Sequence, residues 1–485
     1  MLQSELVNTN TYQLISSSEI DIINKHKVLC LKYNIILKDY QEKLPTLYWI
    51  PKLHKRPYKA RFIANSTSCT TKRISILLTS GLTAVKSHVQ SYCSTTYKNS
   101  GYNSFWCIKN SAEFLNKLSN RNFKVSSIST YDFSTLYTTL PHNLIKIKLI
   151  GLIRKTFARE ECLFLACNDN KAFFTNAKYD RYKLFTCDEF CDALVFLLDN
   201  IYIRFGHKVY RQVIGIPMGT NCAPLIADLF LYCYENEFMK RLSKNDSNED
   251  IITAFNDTSR YLDDICNIDN VVFSNMVKDI YPKELQLNKA NTSEQEASFL
   301  DLHLSIVDGV INTKIYDKRD DFNFNIVNYP YLDGDVPKVT SYGVYMSQLT
   351  RFARACTDVE DFHIRNLNMT SKLLQQGYRY HKLCKTFKTF YRKSLPLLYK
   401  YNLSLKSYLN LGISQPEFYG DVVYRLRKIN SHFHFDDIFR TVINKFVKRG
   451  YRVDILERST RLAFDPIKYN KYAYSLFGGT ATFPV

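Results

Sequence analysis

Glycine and proline are scarce in this 485-residue chain, at 15 and 13, which excludes collagen-like repeats and long flexible linkers. Long apolar runs are missing too. The most hydrophobic stretch, Ala193 to Ile203, is broken by Asp199 and Asn200 and is far too short to span a bilayer, so no membrane partner is expected. The opening Met-Leu-Gln-Ser-Glu has neither the basic start nor the apolar segment of a secretory leader, and an intracellular protein, nuclear or cytoplasmic, is expected. The 13 cysteines form no CxxC pair and no framework spacing, which suits reduced thiols. Cys162, Cys167, Cys187 and Cys191 leave two readings open, an irregular zinc site or buried thiols.

Acidic residues are the other shortage: 46 Asp+Glu stand against 65 Lys+Arg, a formal net charge of +19. The excess is uneven. From Lys338 onward there are 25 basic and 10 acidic residues, so +15 lies there and only +4 on the preceding 337 residues. A surplus confined to one end suits a polyanion-binding module. Apolar residues at 45% and charged residues at 23% exclude wholesale disorder, and the length accommodates roughly two to four subdomains.

Ser16-Ser17-Ser18-Glu19 reads as a helix cap. After Pro45 come Leu47-Tyr48-Trp49-Ile50-Pro51 and a basic run, Lys52, His54, Lys55, Arg56, Lys59 and Arg61. Period two in Tyr58-Lys59-Ala60-Arg61-Phe62-Ile63 places Lys59 and Arg61 on one strand face. That pair forms either a polyphosphate site or a solvated surface. Val125 to Tyr131 reads as a strand that delivers Asp132. A hairpin turning at Phe205-Gly206-His207 leads into Gly215-Ile216-Pro217-Met218-Gly219, a loop opening onto an apolar helix after Pro224.

Arg260-Tyr261-Leu262-Asp263-Asp264-Ile265 sets two adjacent carboxylates between apolar residues, costly unless they bind cations or sit in a turn. A straight strand would point them to opposite faces, so convergence needs a hairpin tip, with Asp269 and Asn270 beginning the descent into a second strand. A surface Asp-Asp turn is the plainer alternative. Together with Asp132, however, these carboxylates make three groups able to hold two Mg²⁺ ions, with Mn²⁺ as the alternative ion. Such ions activate a 3′-hydroxyl and neutralise a triphosphate. The order cation strand, Asp strand, Gly loop and helix, Tyr-x-Asp-Asp hairpin is that of polymerase fingers and palm, and Tyr-x-Asp-Asp looks like reverse transcriptases.

The sequence resembles the reverse transcriptase of Penelope-like retroelements. Tyr131-Asp132-Phe133-Ser134-Thr135-Leu136-Tyr137-Thr138-Thr139-Leu140-Pro141 is similar to their Asp-x-x-x-Leu-Tyr-Thr segment. Pro51-Lys52-Leu53-His54-Lys55 with Ala60-Arg61-Phe62-Ile63 resembles their fingers motifs, and Met218-Gly219 their Met-Gly. Ser298-Phe299-Leu300-Asp301 and Lys314-Ile315-Tyr316-Asp317-Lys318 continue the likeness over roughly residues 46 to 395. Thr220, Asn221, Cys222 and Ala223 depart from the commoner loop sequence, as does Asp317 from a usual Arg. No GIY-YIG nuclease signature occurs in 401–485, so an endonuclease is expected to be separately encoded or missing. Only about 45 residues precede the fingers motifs, which leaves open whether an N-terminal part is missing.

The resemblance implies an α+β right-hand polymerase with an antiparallel palm sheet and a helical thumb. Its expected parts are an N-terminal helical lead (1–45), fingers (46–130) and a palm with a fingers insertion (131–310). A connection (311–340), a basic helical thumb (341–400) and a basic C-terminal region of unknown role (401–485) follow. The expected partners are an RNA template, a DNA primer and dNTPs. Asp132, Asp263 and Asp264 would ligate metal, and Arg61 and Lys59 would hold the triphosphate. Tyr137 would pack under the sugar, or be a core tyrosine. Gly215, Pro217 and Gly219 would approach template and base, or form a plain turn. Lys289 is a general-acid candidate or a solvated lysine. Lys385, Lys388 and Arg392 share a helical face suited to duplex phosphates. The alternative function is a catalytically inactive or co-opted nucleic-acid-binding protein derived from such an element.

Overall fold

The computed structural model describes residues 10–35, 42–52, 59–119, 121, 123–320 and 328–402, with isolated positions at 6, 37, 322, 326 and between 446 and 456. The expectations for His54, Lys55, Arg56 and nearly all of 401–485 lie outside those residues, as do the side chains of Lys52 and Lys59. The chain divides into two compact units, Met1–Ile311 and Asn312–Val485.

Helices and strands mix in the first unit, the strands antiparallel except for the parallel pairing of Thr46 with Arg204. One sheet has the order β1-β9-β8-β2-β3, formed by Tyr12–Ile15, Lys208–Gln212, Tyr202–Phe205, Thr46–Lys52 and Lys59–Asn65 respectively. Ile50 of β2 lies opposite Arg61 of β3, and Leu47 opposite Ala64. Leu47 and Ala64 are buried, so alternation turns the exposed Arg61 to the other face. Gly206, with φ +61°, forms the expected turn between β8 and β9. Ser18 caps the helix Glu19–Lys32 in a reciprocal capping box with Asp21.

The second sheet has the order β10-β11-β4-β12, formed by Ser259–Tyr261, Asp264–Ile268, Ile128–Phe133 and Leu287–Lys289. Its inner face places Tyr131, Phe133 and Ile265 in the main core. Tyr131 lies 4.8 Å from Phe273 and Phe133 4.9 Å from Tyr281, centroid to centroid. Burying each such ring stabilises by roughly 2–3 kcal/mol, which locks the strand's register and turns Asp132, between them, outward. The strand begins later than the sequence pattern suggests. The Asp269 carboxylate accepts the Ser126 and Ser127 amides at 2.7 and 2.9 Å, so a side chain replaces the neighbouring strand there. Asp269 itself has φ +54° and follows the end of β11 instead of beginning the descent into it.

A third sheet, unforeseen in the sequence, has the order β6-β5-β7 from Ala172–Thr175, Phe164–Cys167 and Lys183–Phe185. It lies in sequence between the helices His142–Glu160 and Cys187–Asp199. Residues Glu296–Phe299 (β13) and Leu302–Val307 (β14) form a hairpin, and Val310–Ile315 (β15) carries the chain across the boundary between the units.

The second unit contains the helices Lys338–Ala355, Val359–Gln375 and Tyr380–Lys393. Tyr345 donates to Asn366 Oδ1 at 2.7 Å between the first two. The third buries Leu383, Phe387 and Phe390. Its Lys385, Lys388 and Arg392 are exposed.

Candidate active site

Tyr261 and Asp264 close a two-residue turn made of Leu262 and Asp263. Leu262 has φ +54°, a left-handed conformation that costs a branched side chain about 1–2 kcal/mol. Two bonds hold it there. Arg260 Nη1 donates to the Leu262 carbonyl at 3.1 Å, and the Phe133 amide donates to the Asp263 carbonyl at 3.1 Å.

Across the sheet, Asp264 is the direct cross-strand partner of Asp132, and Asn288 stands on the other side of Asp132. Carboxylates in direct opposition repel one another, and a divalent cation between them removes the repulsion. Among the described residues no group of three or more carboxylates, imidazoles or thiols is placed to hold a metal ion. Mg²⁺ keeps several waters and takes one or two carboxylates plus substrate phosphates, so Asp132 and Asp264, opposite each other in register, are the pair that would hold it, with Asp263 on the adjoining turn.

Beneath the hairpin lies a buried ionic cluster that the sequence reading missed. Arg260 is fully buried and bonds Asp228 Oδ1 at 2.6 Å and Glu235 Oε2 at 3.1 Å. Both carboxylates come from the helix Ala223–Leu242, seven residues apart on one face. Tyr281 donates to Glu235 at 2.8 Å, and Lys86 pairs with Asp228. Burial works to raise the Asp228 pKa, but Arg260 and Lys86 outweigh it and the net shift is downward. For Glu235 burial dominates, with Arg260 offsetting part of it, and the shift is upward. Two acids within an apolar helix sequence were the available signal, since such acids need a buried cation.

The Gly215–Gly219 loop is tied at both ends. Its first end meets the turn after Asp132: the Gly215 amide donates to Leu140 O at 2.8 Å and the Ile216 amide to Tyr137 O at 2.7 Å. His142 Nε2 donates to Gly215 O at 2.6 Å. Gly215 has φ +80°, and a Cβ there would run into the Tyr137 carbonyl. At the other end the Ala64 amide of β3 donates to Met218 O at 2.8 Å. Gly219, at φ +123°, leaves no room for a Cβ against Ala64 O. Both glycines are therefore required by backbone contact as well as by φ. Pro217 is buried.

Tyr137 is half-buried on the short helix Leu136–Thr139. Burial, and then the negative charge of Asp263, push its pKa up to about 12, which keeps the phenol neutral. Arg61 precedes Ala64 by three residues on β3, roughly 10 Å along the strand. Lys289 is not brought to this site: it pairs in register with Tyr131, on the sheet face opposite Asp132, and its Nζ bonds Glu294 at 3.0 Å. Lys385, Lys388 and Arg392 belong to the second unit. Among the four cysteines left open above, Cys167 and Cys191 are buried, and burial pushes both thiols up to about 12.

No family model and no curated protein matches the sequence. Similarities to solved structures are distant. Telomerase from Candida albicans in complex with a TWJ fragment of telomeric RNA matches at TM-score 0.43 and 12% identity, over 100% of this chain and 75% of that one. The RNA-dependent RNA polymerase of BmCPV at its elongation state matches at TM-score 0.38 and 12% identity, over 72% and 28%. Apo telomerase from Candida tropicalis, truncated from its C-terminal domain, matches at TM-score 0.40 and 12% identity over 65% of this chain, which spans 59% of that chain's length.

Proposed function

We propose that this chain is an RNA-directed DNA polymerase of the Penelope-like retroelement type, extending a DNA 3′-end on an RNA template. The observation that carries the reading is the direct opposition of Asp132 and Asp264 beside the turn that bears Asp263. Mg²⁺ held by these carboxylates would supply acidity to the 3′-hydroxyl and countercharge to the triphosphate.

The chain's own residues do the positioning. Arg61 holds triphosphate oxygens by charge-assisted bonds, and Lys59 is the second candidate cation. Tyr137 packs under the sugar, and Gly215 and Gly219 let backbone come close to the templating base pair. Lys385, Lys388 and Arg392 contact duplex phosphates. Lys289, on the far face of the sheet, carries no proton in this scheme.

Purified protein given a DNA primer, an RNA template and dNTPs should extend the primer only when Mg²⁺ or Mn²⁺ is present. Arg61→Ala should raise the KM for dNTP far more than it weakens primer–template affinity. A folded protein that extends nothing with either ion would overturn the proposal.

A further inference from the structure

The third sheet carries a surface that the proposed reaction does not use. In β6, Phe174 points inward, its ring 5.1 Å from Phe157. By alternation Phe173 points outward, where it meets Tyr179 at 5.3 Å and Tyr182 at 5.1 Å, both edge-on. The three rings staple the loop between β6 and β7. Tyr179 nevertheless keeps 44% of its surface exposed.

Charge surrounds the cluster asymmetrically. From Lys171 to Lys183 there are four cations, including Lys178 and Arg181, against one carboxylate, Asp180. Among the described residues none of the four is ion-paired with a carboxylate, and Lys171 lies 5.5 Å from the Phe173 ring centroid. Exposed aromatic faces interleaved with unpaired cations are the composition that binds single strands, since every base has a stacking face and every link a phosphate. The sheet is also connected to the candidate active site. Asp169, in the β5–β6 turn, pairs with Arg73, and the adjacent Lys72 donates to Asn221 at 2.7 Å, two residues beyond Gly219.

We propose that the outer face of this sheet binds single-stranded RNA, the unpaired template ahead of the candidate active site. Bases stack on Tyr179, and Lys178 and Arg181 contact phosphates. Naming the strand as template RNA rests on the polymerase reading above.

Fluorescence anisotropy of the full chain tests it, using primer–template duplexes with template overhangs of about 2 or about 16 nucleotides. Wild-type protein should bind the long RNA overhang more tightly than the short one. Tyr179→Ala should weaken long-overhang binding about five-fold or more, the worth of one stacked base, and leave short-overhang binding unchanged. The double variant Lys178→Glu/Arg181→Glu leaves the ring packing intact. It should flatten the slope of log affinity against log salt by about 1.4, two single-strand phosphate contacts.

Long-overhang binding unchanged in both variants would overturn the proposal. So would a loss confined to DNA overhangs, or a loss of binding to an acidic peptide with RNA binding intact, which would assign the face to a protein. Anisotropy requires no nucleotide addition. Variant-sensitive overhang binding without primer extension would therefore count against the polymerase reading alone.

Discussion

The Tyr137 carbonyl accepts the Ile216 amide at 2.7 Å, so the residue at the candidate sugar site also anchors the glycine loop. Backbone and ring thus have separable tasks. Tyr137→Ala removes the ring and keeps the carbonyl, leaving the loop in place. Rejection of a 2′-hydroxyl by steric overlap needs bulk. Tyr137→Phe should therefore preserve the ratio of dNTP to rNTP incorporation efficiency, while Tyr137→Ala should lose most of it. Undiminished discrimination in Tyr137→Ala would make the ring core packing.

Arg260 positions the hairpin from below through Leu262 O and neutralises Asp228 and Glu235. Arg260→Met leaves Glu235 without a cation and Asp228 with Lys86 alone, and should destabilise the fold by about 3–5 kcal/mol. The loss should be pH-dependent. Without Arg260, Glu235 would hold a proton in the native state at pH values where the unfolded chain has released it, so the variant's stability should fall as pH rises. Adding Glu235→Gln should recover part of the loss and flatten the profile. Denaturant melts across pH measure both, and a pH-independent deficit would mean that the cluster's charge is not what matters.

His26 gives a second pH signature. It is buried, and its Nδ1 is 2.7 Å from Thr70 Oγ1. Burial, aided by Lys25, lowers its pKa to about 4. Below the ordinary imidazole value of about 6.5 the unfolded chain binds the proton first, so the stability contributed by neutral His26 is complete above that pH. It is lost as pH falls toward 4, by about 3 kcal/mol in total. Equilibrium unfolding of wild type and His26→Gln between those limits should show a steep acid limb only in wild type. Parallel limbs would place the acid sensitivity elsewhere.

Duplex binding by the second unit is read through salt. Lys385, Lys388 and Arg392 are exposed on the side of their helix away from Leu383, Phe387 and Phe390. Replacing all three with alanine should flatten the slope of log affinity against log salt by about 2–3, at roughly 0.9 per B-form contact. An unaltered slope would mean that this face meets only solvent.

The features legible in the sequence were those written locally. The Asp132 strand end, the Phe205-Gly206-His207 turn and the face shared by Lys385, Lys388 and Arg392 each follow from short-range periodicity or turn chemistry. A hairpin tip was legible too, but it falls at Leu262-Asp263 and leaves Asp264 on β11 instead of taking both Asp263 and Asp264. What stayed hidden depends on pairing at long range. The sequence could not say that Asn288 would flank Asp132 while Lys289 faced away, because that parity is set by the β12 register. Nor could it show that Ala64 would receive the glycine loop at the edge of β3, or that Arg260 would meet Asp228 and Glu235. The β6-β5-β7 sheet escaped because its strands are only three or four residues long, too short for alternation to register.

The central claim is that Asp132, Asp263 and Asp264 act together on a nucleotide, and the most direct test separates chemistry from binding. Asp132→Asn and Asp263→Asn keep side-chain size and remove one charge each. Primer extension on an RNA template and duplex affinity are measured on the same folded preparations. The account predicts that both variants lose extension entirely while duplex affinity stays within a few-fold of wild type. Wild-type extension in either variant, or no extension by the wild type with duplex binding intact, would contradict it; the latter outcome would make the chain a nucleic-acid-binding protein without catalysis.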